Sequence, residues 1–181
     1  MTKEKLRVKN ITVNFEEKSI IEDVTITLNE GEIGSILWVS GVGKTTLFNV
    51  IAGLINPCIG TVELDGENII GKSGKISYML QKDLLFPFKT ILDNVSLPLI
   101  LKGENKKKAR EIAGKYFSQF GLEGMENKYP KELSGGMRQR AAFLRTYMFS
   151  SEIALLDEPF SALDTITKQK IHTWYLDVVK K

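Results

Sequence analysis

Residues 5–15 (KLRVKNITVNF) and 20–28 (IIEDVTITL) alternate or cluster β-branched and other apolar residues, and both predict strands. NEGEI turns the chain into a third predicted strand, Ile33–Leu37, and a loop at 38–43 precedes a predicted helix from about Lys44 to Leu54. NPCIG then leads into a short strand, TVELDG, and Ile76–Leu80 (ISYML) reads as another. The pattern changes between residues 84 and 133. LLFPFKTILDNVSLPLILKG carries two prolines and broken helical pieces. From there apolar residues recur at Ala109, Ile112, Ala113, Tyr116, Phe117 and Phe120, the spacing of a helix with one buried face. This region reads as a mostly helical insertion. LSGGMRQRAAFLRTYMF predicts a further helix with Ser134 near its start. EIALLDEPF predicts a buried strand ending in two carboxylates, and residues 165–180 a last amphipathic helix. No internal repeat interrupts the order.

A chain of 181 residues suits one domain with an inserted subdomain. At 43% hydrophobic and 26% charged it has an ordinary globular profile. Its formal net charge of +3 is too small to argue for nucleic acid. Lys106, Lys107 and Lys108 lie between Glu104 and Glu111 and read as a solvated helix start. Cys58 is the only cysteine, which excludes an intrachain disulfide and a cysteine metal cluster and fits a reducing, cytosolic setting. No apolar run approaches the ~20 residues of a spanning helix. The segment MTKEKLRVKN lacks the apolar core of a signal peptide. Work at a membrane would therefore go through another chain.

Three motifs carry chemistry. In SILWVSGVGKTTLFNV, Ser40, Gly41, Val42 and Gly43 lie between a predicted strand and a predicted helix. Backbone N–H groups from Gly41 to Thr46 can wrap a phosphate, because glycine permits the concave turn and the helix points its positive end there. Lys44 would reach the β- and γ-phosphates of a nucleotide, and the Thr45 hydroxyl would bind Mg²⁺. The second motif is IALLDE. Its apolar strand delivers Asp157, a Mg²⁺ holder through water, and Glu158, a general base for the attacking water. Alone, that pair is a solvated strand end; with the upstream loop it gains weight. In the third, LSGGMRQR, Ser134, Gly135 and Gly136 form a second nest of N–H groups before a helix, or else an ordinary capped helix. One chain does not need two phosphate-binding helix starts, but a dimer does, if each nest caps the nucleotide held by the other chain.

On these motifs the chain resembles the nucleotide-binding subunit of an ABC transporter over essentially all 181 residues, with LSGGMRQR the most specific phrase. LLFPFKTILDNVSLPL, LRTYMFSSEIALLDEPFSALD and TITKQKIHTWYLDV are similar to importers of the nitrate/sulfonate/taurine type. The resemblance implies an α/β fold: a P-loop NTPase (RecA-like) core with N-terminal antiparallel strands, an inserted α-helical subdomain, and the final strands missing. It divides the chain into residues 1–82, the first part of the ATP-binding core; 83–133, the helical subdomain; and 134–181, the signature helix, Walker B strand and D-loop. Phe15 is implied to stack on adenine, although on the residues alone it reads as core. Gln81 is implied to touch Mg²⁺ and the attacking water. Ser134, Gly135 and Gly136 would meet the γ-phosphate held by a paired subunit, and Ser161–Asp164 (SALD) would line that seam. Residues 82–100 would receive a short cytoplasmic helix of a permease. The implied cofactors are ATP and Mg²⁺. The implied partners are a copy in a homodimer or another paired ATPase subunit, integral membrane permeases and, indirectly, a solute-binding protein, with no nucleic acid. The implied location is the cytoplasmic face of the cell membrane.

Three positions depart from the family pattern. Trp38 stands where the loop has its first glycine, and a bulky residue at positive φ adds strain on the order of 1–3 kcal/mol. Phosphate binding is expected to weaken rather than vanish. Gly34 interrupts EIGSIL, lowers its strand preference, and offers space for the indole. Family members continue into a further strand and a histidine at the γ-phosphate, whereas this sequence ends at Lys181. His172 precedes that strand and does not take the role. The expectation is exposed sheet edge and a poorly stable isolated chain. A degenerate nucleotide-binding module with little ATPase activity is the rival reading. A soluble ABC protein of DNA repair or translation fits less well, because neither duplicated cassettes nor long coiled coils are present, and an exporter-type partner is a further alternative.

Overall fold

The computed structural model describes residues 3–16, 18–37, 43–149 and 152–159. Leu6, Val8, Ile11 and Val13 are all buried on strand β1 (Glu4–Phe15), although three residues, not two, separate Val8 from Ile11. A step of three would flip the face in a regular strand. Against strand β2 (Lys18–Asn29) the pairing moves from Val8↔Ile26 to Ile11↔Val24, which inserts an extra residue in β1, and then to Val13↔Ile21, which inserts one in β2. Asn10 and Asp23 adopt φ of 50° and 49° at these bulges, and the Asn10 side-chain amide donates to the Asp23 carboxylate at 2.5 Å. The backbone N–H groups they turn out of the ladder donate to threonines, Asn10 to Thr25 Oγ1 at 3.0 Å and Asp23 to Thr12 Oγ1 at 3.1 Å. Paired bulges thus keep one apolar face. With β3 (Ile59–Leu64) and β4 (Glu67–Asn68) these strands make an antiparallel sheet in the order β2-β1-β3-β4.

Helix α1 (Lys44–Ile51) buries Leu47, Phe48, Val50 and Ile51. It stops short of the predicted Leu54 because Gly53 turns left-handed (φ 72°), where an added Cβ would sit 2.7 Å from the Lys72 carbonyl carbon. The predicted strand Ile33–Leu37 is a correction. Residues 32–37 form no regular structure, and Leu37 is 96% exposed. A strand exists only where a ladder satisfies its backbone, and among the described residues none pairs with this segment. At Gly34 an added Cβ would meet Leu28 Cδ1 at 3.3 Å; Trp38 lies outside the described residues.

Two compact units divide the chain: residues through Ser77 with 151–155, and Tyr78–Ser150 with the residues from Leu156 onward. The second unit is helical. Thr90 caps α2 (Ile91–Leu101) by accepting the Asp93 N–H, and Asn105 caps α3 (Lys106–Gly114) by accepting the Lys107 N–H. Helix α4 (Gly135–Met148) supplies Ala141, Ala142, Phe143, Leu144 and Met148 to the core, against Ile91, Val95, Phe117 and Phe120. The predicted stripe is buried at Ala109, Ala113, Phe117 and Phe120, although α3 itself ends at Gly114 and turns carry the rest. Truncating Phe117, 1% exposed, removes a ring from a packed core. Phe117→Ala is expected to lower stability by about 3–5 kcal/mol, read as a shifted urea midpoint at constant slope. The lysine run opens α3 in solvent, as its flanking acids predict.

Strands β5 (Ser77–Met79) and β6 (Ala154–Leu156) pair with each other. The Ser77 N–H donates to the Ile153 carbonyl at 3.0 Å, and the Asp157 N–H donates to the Met79 carbonyl at 2.9 Å. Both residue numbers rise together along the pair, as parallel strands require.

Candidate functional site

Gly43 caps α1 with φ 98° and ψ 0°, and no side chain caps that helix. An added Cβ there would lie 2.9 Å from the Ile20 carbonyl oxygen and 3.1 Å from both Ile20 Cγ2 and Ile21 Cγ1. The left-handed turn and the close approach to β2 both require glycine. Lys44, Thr45 and Thr46 form the first turn, which holds no acidic residue. A helix start of this kind directs backbone N–H groups and the positive end of the dipole outward, and Lys44 adds a full charge. It is suited to an anion. Ser40, Gly41 and Val42, the rest of the predicted cradle, lie outside the described residues.

Phe15 closes β1 opposite Lys18 and is 55% exposed. That corrects the reading of it as core: it is the last residue of β1 before the hairpin, where its neighbour Glu16 turns left-handed (φ 54°) toward β2. An exposed ring face is what stacking on a flat ligand needs.

In the second unit the ends of β5 and β6 bring Gln81 to Glu158. The Gln81 amide nitrogen donates to the Glu158 carboxylate at 3.0 Å. Glu158 is exposed, with a backbone φ of 48°. Glutamate rarely occupies that region, and its backbone is held there at a cost. Asp157 is 3% exposed, and its backbone N–H is fixed by Met79. Burial, and then the nearby Asp157 charge, push the Tyr78 hydroxyl above the ordinary tyrosine range. Among the described residues no group of three or more His, Cys, Asp and Glu gathers as a metal cage. A sparse carboxylate set still fits Mg²⁺, which is usually held by one or two carboxylates together with phosphate oxygens and water.

Ser134 caps α4, its hydroxyl accepting the Met137 N–H at 3.3 Å, and Gly135 and Gly136 are the first helical residues. The capped helix and the glycine-opened helix start are therefore one feature. Residues 161–164 and His172 lie outside the described residues.

Asp83, Arg138, Gln139 and Arg145 escaped the motif reading. The Arg138 Nε donates to Asp83 Oδ2 at 3.2 Å, and the Gln139 amide donates to the Gln81 carbonyl at 3.2 Å. The Arg145 guanidinium donates to the carbonyls of Leu84 at 2.8 Å and Asp83 at 2.7 Å. Their only signal in the sequence is two arginines seven apart, two helical turns, on one face.

The family profile described as ABC transporter matches residues 21–161. The formylaminopyrimidine import ATP-binding protein ThiZ of Halalkalibacterium halodurans is 47% identical over 182 aligned residues, covering 100% of this chain and 71% of that protein. The taurine import ATP-binding protein TauB of Escherichia coli O157:H7 is 37% identical, covering 94% of this chain and 67% of that protein. A solved structure, the dimeric post-hydrolysis state of the ATP-binding cassette MJ0796 bound to ADP and Pi, superposes with a TM-score of 0.84 at 31% identity, covering 96% of this chain and 82% of that one.

Proposed function

The chain belongs to the ABC transporter family, as an ATP-binding subunit of the kind found in import systems, and on that premise we propose that it binds and hydrolyses ATP to drive a permease. Its fold is that of the P-loop ATPase cassettes. The observation that carries the hydrolytic reading is the Gln81–Glu158 hydrogen bond beside the buried Asp157. It places a carboxylate and an orienting amide together, as water activation needs.

In this reading the loop from Ser40 to Gly43 and the first turn at Lys44, Thr45 and Thr46 grip the phosphates, and Phe15 stacks on the adenine. Mg²⁺, when bound, supplies charge against the β- and γ-phosphates, with Thr45, Gln81 and Asp157 as its holders. Glu158 takes the proton from the attacking water. Gln81 orients that water, so the protein contributes positioning and charge stabilisation. The dimeric cassette among the solved relatives supports a paired assembly, in which Ser134, Gly135 and Gly136 close on the nucleotide of the other subunit. No helix among the described residues is long and apolar enough to cross a membrane. In this reading the permease is a separate chain and attachment to it is peripheral. A solute-binding protein would deliver the solute. Within the nitrate-, sulfonate- or taurine-like class the taurine relatives support a taurine-like solute, and the formylaminopyrimidine relative adds a second candidate.

Direct ATP titration of wild type and Lys44→Ala tests the phosphate grip. Loss of one charge-assisted contact is expected to weaken affinity about 10- to 100-fold. Unchanged affinity would remove Lys44 from the site, and tight binding with no phosphate release would leave a non-hydrolysing module.

A further inference from the structure

Gln81, Asp83 and Leu84 are held to α4 by three of its side chains. Arg138 binds the Asp83 carboxylate and also donates to the Leu133 carbonyl at 2.8 Å, at the start of the same helix. Gln139, 5% exposed, binds the Gln81 carbonyl. Arg145 spans the carbonyls of Asp83 and Leu84 with its two terminal nitrogens. Successive carbonyls of an extended chain point to opposite sides, so one guanidinium meets both only where the backbone turns between them. Leu84 makes that turn, with φ 43° in a region that side chains disfavour. Arginine suits the task because its planar fork presents parallel donors and stays charged. Burial lowers the proton affinity of this guanidinium, and the Asp83 charge opposes the shift. Beyond the turn, the Leu85 N–H donates to Asp83 Oδ1 at 3.1 Å, and the Phe86 N–H donates to Asn94 Oδ1 at 2.7 Å.

We propose that Arg145 is a positioning residue: by clamping the backbone at 83–84 to α4, it sets the register in which Gln81 reaches Glu158. The inference rests on the reading of Gln81 and Glu158 as the hydrolytic pair. The clamp holds a strained turn that would relax once the fork is removed.

Two measurements on the full chain test this. The first is amide hydrogen exchange without nucleotide, comparing wild type, Arg145→Ala and Arg145→Lys. The alanine variant is expected to speed exchange at Leu85 and Phe86 by about tenfold or more while the amides of 141–144 keep their protection, since local opening leaves the core closed. The lysine variant keeps the stem and charge but not the planar fork, and is expected to fall between. It also serves if alanine prevents folding. The second is a double-mutant cycle on phosphate release with Gln81→Ala. Arg145→Ala is expected to lower kcat with KM for ATP near wild type, and the double variant to be no slower than Gln81→Ala alone. Wild-type exchange at 85–86, equal loosening throughout α4, or additive losses in kcat would each overturn the proposal. Absence of phosphate release from wild type would defeat the hydrolytic reading instead, and the exchange comparison would still decide the clamp.

Discussion

Glu158→Gln is expected to slow ATP turnover by on the order of 10²–10⁴-fold, the usual contribution of a positioned general base, with ATP affinity close to wild type. The substitution preserves side-chain size. Its remaining carbonyl oxygen can still accept from Gln81, which lies 3.0 Å from the carboxylate in the native chain. What disappears is the ability to take a proton from water. The effect should therefore appear in kcat alone, because an interaction used only in the transition state leaves ground-state binding untouched. Phosphate release at saturating ATP and an independent binding titration separate the two quantities. A parallel fall in affinity would mean that Glu158 holds nucleotide rather than activating water.

Gly43→Ala is expected to damage both fold and phosphate grip. The new Cβ would sit 2.9 Å from the Ile20 carbonyl oxygen, a backbone atom that cannot rotate aside, at a φ of 98°. Left-handed backbone costs a residue with a Cβ about 1–2 kcal/mol, and forced overpacking adds about 1–3 kcal/mol. A loss of about 2–5 kcal/mol in urea unfolding is the expected sum of those two ranges. The remaining folded protein should also bind ATP less tightly, since relief of the clash moves the first turn of α1. Unaltered stability would show that β2 yields at Ile20 and Ile21. Normal ATP binding in folded Gly43→Ala would mean that the first turn tolerates displacement.

Much of this protein was legible in its pattern. The strands at 4–15 and 18–29, the amphipathic stripe ending at Phe120, and the helix after Ser134 all follow from local periodicity and capping, which short-range sterics and burial enforce. Glycine at 43 and the paired carboxylates at 157 and 158 were equally visible, because their chemistry belongs to the residue type. Phe15 was misread as core because an aromatic at a strand end has no local signal for which side of the sheet end it faces. Ile33–Leu37 has strand composition, yet pairing depends on a distant segment presenting its edge, and none of the described residues does so.

The sequence alone determined the family, most of the described elements and the types of group offered to phosphate and water, since motif spacing and side-chain chemistry are written locally. Only the tertiary structure decided that Gln81 meets Glu158, that bulges at Asn10 and Asp23 restore one apolar face, and that Arg145 spans two consecutive carbonyls. Each of these joins residues far apart in the chain or rests on a backbone dihedral that neighbouring letters do not specify. Hydrogen bonds select partners by position in space, and that position is set by the packed core as a whole.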